Sequence, residues 1–352
     1  MAYRVVHWGT GNAGKLALRG VIRHPDLELV GMMVHSGDKV GRDAGDLAET
    51  GPVGVVASGD LDEVLALDAD CLCYMGDGLK YPQESVDAMC RFLDAGRNVV
   101  TTSVLPLVYP PTAAPALREP IEAACKSGGT TFFCNGADPG FASDLIPVTL
   151  LSLMDDLEAV RIQEIINYGF YDQVETMRGL FGFGEPLDFE APLFTSGALT
   201  EFWGGVVTLI AAKLSVELEE IRETHELAAM DRDVEIAVGL IPAGTTAAIR
   251  FDVQGIVNGK PAITVEHYTR VHVDAAPHWP RWPGGENGYR VLLEGRPNLV
   301  CELTMADEHG GDGGLIANGM RVVNAIPFVC DTAPGILDTL DIPAVVTRNL
   351  RF

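Results

Sequence analysis

Tyr3-Arg4-Val5-Val6-His7-Trp8-Gly9-Thr10-Gly11-Asn12-Ala13-Gly14 runs from an apolar, strand-like stretch into a turn whose glycines have the spacing GxGxxG. Residues 15–23 follow with apolar side chains three and four apart, the period of a helix. Strand, glycine turn and helix in that order make a device for binding anions. Gly9 permits the tight turn, Gly11 lets a pyrophosphate approach the backbone, and Gly14 lets helix and strand pack closely, while the helix start offers unpaired amides. Gly9, Thr10, Gly11, Asn12, Ala13 and Gly14 are therefore the expected cofactor-binding turn. The plainer alternative is a glycine-rich turn in some other α/β fold.

The surrounding sequence extends this pattern. Residues 27–35, 69–75, 98–103 and 130–134 read as further strands, and 60–67, 82–95 and 113–126 as helices, with Gly96 and Gly128 where C-terminal caps are expected. Strands alternating with helices predict a Rossmann-type parallel sheet over residues 1–147. Past Pro147 the texture changes to alternating strands and hairpin signals. Residues 246–257 and 262–273 flank Asn258-Gly259-Lys260, and 289–293 and 299–305 flank Gly295-Arg296. A helix near 200–214 is expected to cover one face, and residues 275–287, rich in Pro, Trp and Gly, read as a loop. The fold class is thus α/β: a Rossmann-type domain, then a second α+β domain of mainly antiparallel sheet over 148–310. A C-terminal helical segment, 311–352, is expected to pack back on the first domain, with Pro327 ending or kinking a helix over 314–330.

A length of 352 residues suits two domains, and 47% hydrophobic with 21% charged residues is an ordinary globular balance. The 49 acidic against 25 basic residues give a formal charge of -24, which repels nucleic acid and anionic membrane surfaces and makes neither an expected partner. A phosphorylated cofactor is still compatible, because helix amides and local cations act at short range. The N-terminal residues have no secretion-signal pattern, and apolar stretches such as 206–212 are too short to span a bilayer. Seven cysteines without a CxxC pair argue against a disulfide framework and for a cytoplasmic setting.

An acidic residue normally ends the second strand and accepts hydrogen bonds from the ribose hydroxyls of NAD. Here the sequence is His35-Ser36-Gly37-Asp38-Lys39-Val40-Gly41-Arg42. Ser36 can hydrogen-bond a 2′-phosphate, and Lys39 and Arg42 can neutralise it, which favours NADP over NAD. Asp38 leaves NAD possible, and a solvated basic edge is the plainer reading of the two cations.

With GTGNAG at 9–14, HSGDKVGRDAGDL at 35–47, NVVTTS at 98–103 followed by Tyr109-Pro110, NGADPGF at 135–141 and VVNAIPFVCDTAPGILDTLDIP at 322–343, the chain resembles a known family. It is the dihydrodipicolinate reductase-like family that contains 2,4-diaminopentanoate dehydrogenase and the native amine dehydrogenases. The tail is the most specific part of the likeness. The resemblance implies a homodimer, a substrate cleft between the domains, and reversible hydride transfer between NAD(P) and a carbon bearing nitrogen or oxygen. One departure matters. Amine-forming members carry a glutamate shortly after the NVVTTS-like strand, whereas this chain reads Val104-Leu105-Pro106-Leu107-Val108, in which nothing can accept or donate a proton.

Replacement acid–base groups are sought in Glu164, Tyr168, Tyr171, Asp138 and His267. Strand alternation puts Glu164 and Tyr168 on one face with Ile162 and Ile166. It puts His267 with Val265 and Val271, opposite Glu266, Tyr268, Arg270 and His272. Glu164, Tyr168 and His267 are the catalytic candidates. A surface carboxylate, a core tyrosine and a hydrogen-bonded core histidine are the plainer readings. Arg270 suits either a substrate carboxylate or a cross-strand ion pair. No metal site is expected, since Glu308, His309 and Asp312 lack metal-ligand spacing. Three functions stay open: reduction of a C=N bond by NADPH, reduction of a carbonyl or activated double bond without ammonia, and dinucleotide binding without catalysis.

Overall fold

The β-branched Val5 and Val6 and the aromatic Trp8 favour extended backbone, and in the computed structural model Tyr3–Trp8 forms β1, inside a parallel sheet. The structure describes residues 2–283, 287–307 and 313–350. They form two compact units, residues 1–141 with 306–352, and residues 142–305.

After β1 come α1 (Asn12–Arg23), β2 (Leu27–Met33), α2 (Ala44–Leu47), β3 (Ala57–Ser58), α3 (Leu61–Leu65), β4 (Cys71–Tyr74), α4 (Pro82–Asp94), β5 (Asn98–Thr101), α5 (Pro115–Gly128) and β6 (Thr131–Cys134). The second unit holds α6 (Ile146–Leu151), β7 (Asp156–Asn167), α7 (Ala198–Leu214), β8 (Glu220–Ala229), β9 (Val234–Ile236), β10 (Gly239–Ile241), β11 (Thr246–Val257), β12 (Lys260–Arg270), β13 (Gly288–Arg296) and β14 (Leu299–Leu303). The chain then adds α8 (Gly313–Val323), α9 (Ile326–Asp331) and β15 (Gly335–Leu337) to the first unit.

The first sheet has the order β15-β6-β5-β4-β1-β2-β3, every pair parallel. Its strands are mostly apolar because both faces are covered. Val6, Leu72, Val99 and Phe132 pack with Met89, Phe92 and Ile121, and Val5, Cys71, Val100 and Phe133 with Val322, Ile326 and Val329. The cap of α5 falls on Gly129 rather than the expected Gly128. The expected helix over 314–330 is two helices that part at Asn324-Ala325, and Pro327 lies in the first turn of α9, where its missing N–H has no partner to lose. The stretch Gly313–Asp331 is long and apolar enough for a membrane span, unlike 206–212. It is not one helix, and Val322, Val323, Ile326 and Val329 are wholly buried in the sheet's core.

The second unit's main sheet has the order β14-β13-β7-β12-β11-β8, antiparallel except for β7 beside β12. Asn258 (φ 51°) and Gly259 (φ 71°) both sit in the left-handed region, the demand of a two-residue hairpin turn. The second hairpin turns later than Gly295-Arg296, since those residues still pair with Leu157 and Asp156. Helix α7 lies on β11 and β12, and its Trp203 ring meets Phe251 at 4.8 Å. A β-bulge between Gly255 and Ile256 shifts the β11–β12 register by one, so Phe251 faces His267 instead of Glu266.

Candidate functional site

Gly9 has φ +103°, and a Cβ there would lie 2.5 Å from the Met75 carbonyl oxygen. A Cβ on Gly14 would lie 2.7 Å from the Gly9 oxygen, so these two positions close the turn. Gly11 differs. It precedes α1 and a Cβ there would meet nothing within 4 Å, leaving open backbone beside the first helical amides. This is the geometry a diphosphate requires, with Asn12 and Ala13 opening the helix.

Sequence reasoning passed over His7. It is wholly buried, and its Nε2 lies 2.8 Å from the Gly9 carbonyl oxygen. Burial pushes its pKa down to about 4, so the ring is neutral near pH 7. A carbonyl only accepts, so Nε2 carries the proton and donates it to Gly9. A polar residue inside the apolar strand before the turn was the available signal.

The loop after β2 is folded onto this turn. Lys39 Nζ donates to Thr10 Oγ1 at 3.0 Å and to the Thr10 carbonyl at 3.4 Å. Backbone bonds from Lys39 N to the Ser36 carbonyl (3.0 Å) and from Arg42 N to the Lys39 carbonyl (3.2 Å) wind the loop, in which Ser36 and Arg42 are exposed. A cation therefore rests on the glycine turn, with a second cation and a hydroxyl nearby in the chain.

In the second unit, Glu164 of β7 stands opposite His267 of β12 in the parallel pairing. Both are buried, and His267 Nδ1 lies 3.2 Å from Glu164 Oε1. Tyr168 donates its hydroxyl to the same oxygen at 3.4 Å. The His267 ring stacks on Phe251 at 4.5 Å and meets the edge of Trp203 at 4.6 Å. Tyr168 is ringed by Phe170, Tyr171 and Phe181, with centroids 5.6–6.5 Å away. The three catalytic candidates thus form one hydrogen-bonded cluster walled by aromatic rings.

The opposite face of this sheet is also polar but differently satisfied. The Glu266 carboxylate accepts from Arg161 (2.6 Å), Gln163 (2.7 Å) and Tyr268 (3.1 Å). Among the described residues Arg270 has no cross-strand ion pair; it donates to the carbonyls of Ala275 (3.0 Å), Ala276 (3.5 Å) and Pro280 (2.8 Å), and lies over Trp279. Its role is to tie down the loop that follows β12. In the first unit, Asp138 lies in the loop 135–141, which α8 holds through Asn318 accepting from Ala137 N at 2.9 Å and Arg321 donating to Asn135 Oδ1 at 2.9 Å. The 104–108 stretch is a short 3-10 turn with Val104, Leu107 and Val108 buried, and Leu105 and Pro106 half-buried. Glu308, His309 and Asp312 lie outside the described residues.

The 2,4-diaminopentanoate dehydrogenase C-terminal domain model matches residues 144–350. An amine dehydrogenase from Streptomyces virginiae is 41% identical over 343 residues, covering 96% of this chain and 95% of that protein. Among solved structures, the amine dehydrogenase from Mycobacterium smegmatis has a TM-score of 0.81 at 22% identity, covering 99% of this chain and 98% of its own. The scyllo-inositol dehydrogenase from Lactobacillus casei with bound NAD(H) has a TM-score of 0.55 at 12% identity, covering 95% and 92%. These two share the fold. The extent of the family match and the identity to the Streptomyces protein establish more: the chain belongs to the 2,4-diaminopentanoate dehydrogenase and amine dehydrogenase family of NAD(P)-dependent oxidoreductases.

Proposed function

We propose that this chain is an NADP-preferring enzyme that reduces the C=N or C=O carbon of a small substrate without a carboxylate, and that Glu164 moves the proton. The buried carboxylate hydrogen-bonded to both His267 and Tyr168 carries this reading. Bound NADPH supplies the hydride. A carbonyl that gains hydride becomes an alkoxide and needs a proton, which Glu164 delivers, while His267 and Tyr168 orient it. An iminium needs no such proton. Gly9 to Gly14 hold the diphosphate, and Ser36, Lys39 and Arg42 take the 2′-phosphate. Arg270, bound to backbone carbonyls, is not available to a substrate carboxylate. The reading includes a homodimer, supported by the family resemblance, and a cytoplasmic setting, supported by seven free cysteines.

Cofactor preference is tested by replacing Lys39 and Arg42 together with alanine. Removing charge-assisted hydrogen bonds worth about 1.5–3 kcal/mol weakens NADPH by about tenfold or more. NADH affinity should stay within about twofold, and equal loss for both cofactors by fluorescence titration would remove these residues from the site.

Ammonia activation is the step without a residue. Wild type should reduce pre-formed cyclic imines or activated carbonyls faster than it aminates simple ketones with ammonium. Leu105→Glu or Pro106→Glu, at the two half-buried positions of the apolar turn, should raise ammonium-dependent NADPH oxidation by about 10²-fold if the acid–base group is placed well. Efficient ammonium-dependent turnover by wild type would show that another residue, Glu164 the first to test, already serves that step.

A further inference from the structure

His35, two residues past the end of β2, opens the segment in which an NAD-specific chain would carry its acid, and its ring is not left to rotate. Trp8, the last residue of β1, is almost wholly buried, and its indole Nε1–H donates to His35 Nε2 at 3.1 Å. The two rings lie 5.5 Å apart, and Trp8 is itself held by Tyr74 at 5.2 Å and Phe92 at 6.3 Å. An indole nitrogen can only donate, so His35 Nε2 must accept. The single proton of the neutral imidazole is then on Nδ1, on an exposed residue two positions past β2.

We infer that His35 is a specificity-determining residue that donates from Nδ1 to the 2′-phosphate of NADP, with Trp8 as the positioning residue that fixes its tautomer. The inference rests on the reading of this chain as NADP-preferring. An acid here would accept from two ribose hydroxyls and repel a phosphate; a fixed N–H donor reverses both effects. Lys39, whose Nζ donates to Thr10 Oγ1 of the glycine turn at 3.0 Å, supplies the charge that this neutral donor lacks.

The test is binding, not turnover. Kd values for NADPH, NADH and the fragment adenosine 2′-monophosphate are measured for wild type, His35→Phe and Trp8→Phe. His35→Phe keeps a flat ring against Trp8 and removes both nitrogens; it should weaken NADPH and the 2′-phosphate fragment by about tenfold and leave NADH within about twofold. Trp8→Phe keeps an aromatic core residue and removes the donor; it should lower the NADPH-to-NADH preference by a few-fold, with melting temperature as the control for folding. Unchanged selectivity in His35→Phe, or equal loss for both cofactors, overturns the inference. Loss of selectivity in the Lys39 and Arg42 double variant with none in His35→Phe would leave the NADP reading standing and sink only His35. A wild type that prefers NADH would sink the reading itself.

Discussion

Gly11→Val is expected to abolish cofactor binding in a folded protein, whereas Gly9→Val should damage the fold. A Cβ on Gly11 meets no protein atom within 4 Å, so the side chain costs the apoprotein little and fills the space a diphosphate needs. Lost access to the helix amides should weaken both NADPH and NADH by about a hundredfold or more, near 3 kcal/mol. At Gly9 the same change meets the Met75 carbonyl at 2.5 Å with φ at +103°, and strain of about 1–3 kcal/mol from the backbone alone should lower the melting temperature. Circular dichroism with fluorescence titration separates the two outcomes. A folded Gly11→Val protein with wild-type affinity would remove this turn from the cofactor site.

The second large effect is expected at Glu164. Glu164→Gln keeps size and hydrogen bonding but cannot deliver a proton, so kcat for carbonyl reduction should fall by about 10²- to 10⁴-fold. NADPH affinity should not change, because the cofactor contacts proposed here all come from the first unit. Reduction of a pre-formed iminium, which needs no proton, should suffer far less. His267→Phe and Tyr168→Phe should give smaller losses, since each removes a donor to the carboxylate. Wild-type carbonyl turnover by Glu164→Gln would end its assignment as the acid, and an equal loss for carbonyl and iminium would point to a structural role.

Much of the fold was legible because the relevant physics is local. The glycine spacing between a strand and a helix, the 3.6 and 2.0 periodicities, and Asn258-Gly259 each act within a few residues, and the structure places β1, α1, β11 and the Asn258 turn accordingly. Boundaries moved where neighbours decide them. The strand expected over 27–35 ends at Met33, and β13 continues through Arg296 because β7 lies alongside to pair with it.

What the sequence determined by itself was the glycine turn, the missing acid after the second strand, the apolar 104–108 stretch and the alternation that gives Glu164 and His267 each a defined face of its own strand. That β7 lies parallel to β12, and that Glu164 is the direct partner of His267, only the tertiary structure decided, because strands separated by a hundred residues leave no periodic trace of their register. The same holds for the Phe251–His267 stack, which depends on a one-residue bulge, and for Arg270, whose face was readable but whose partners are carbonyls brought in by the following loop. Local propensity assigns a side chain to a face; pairing across the sheet determines what that face meets.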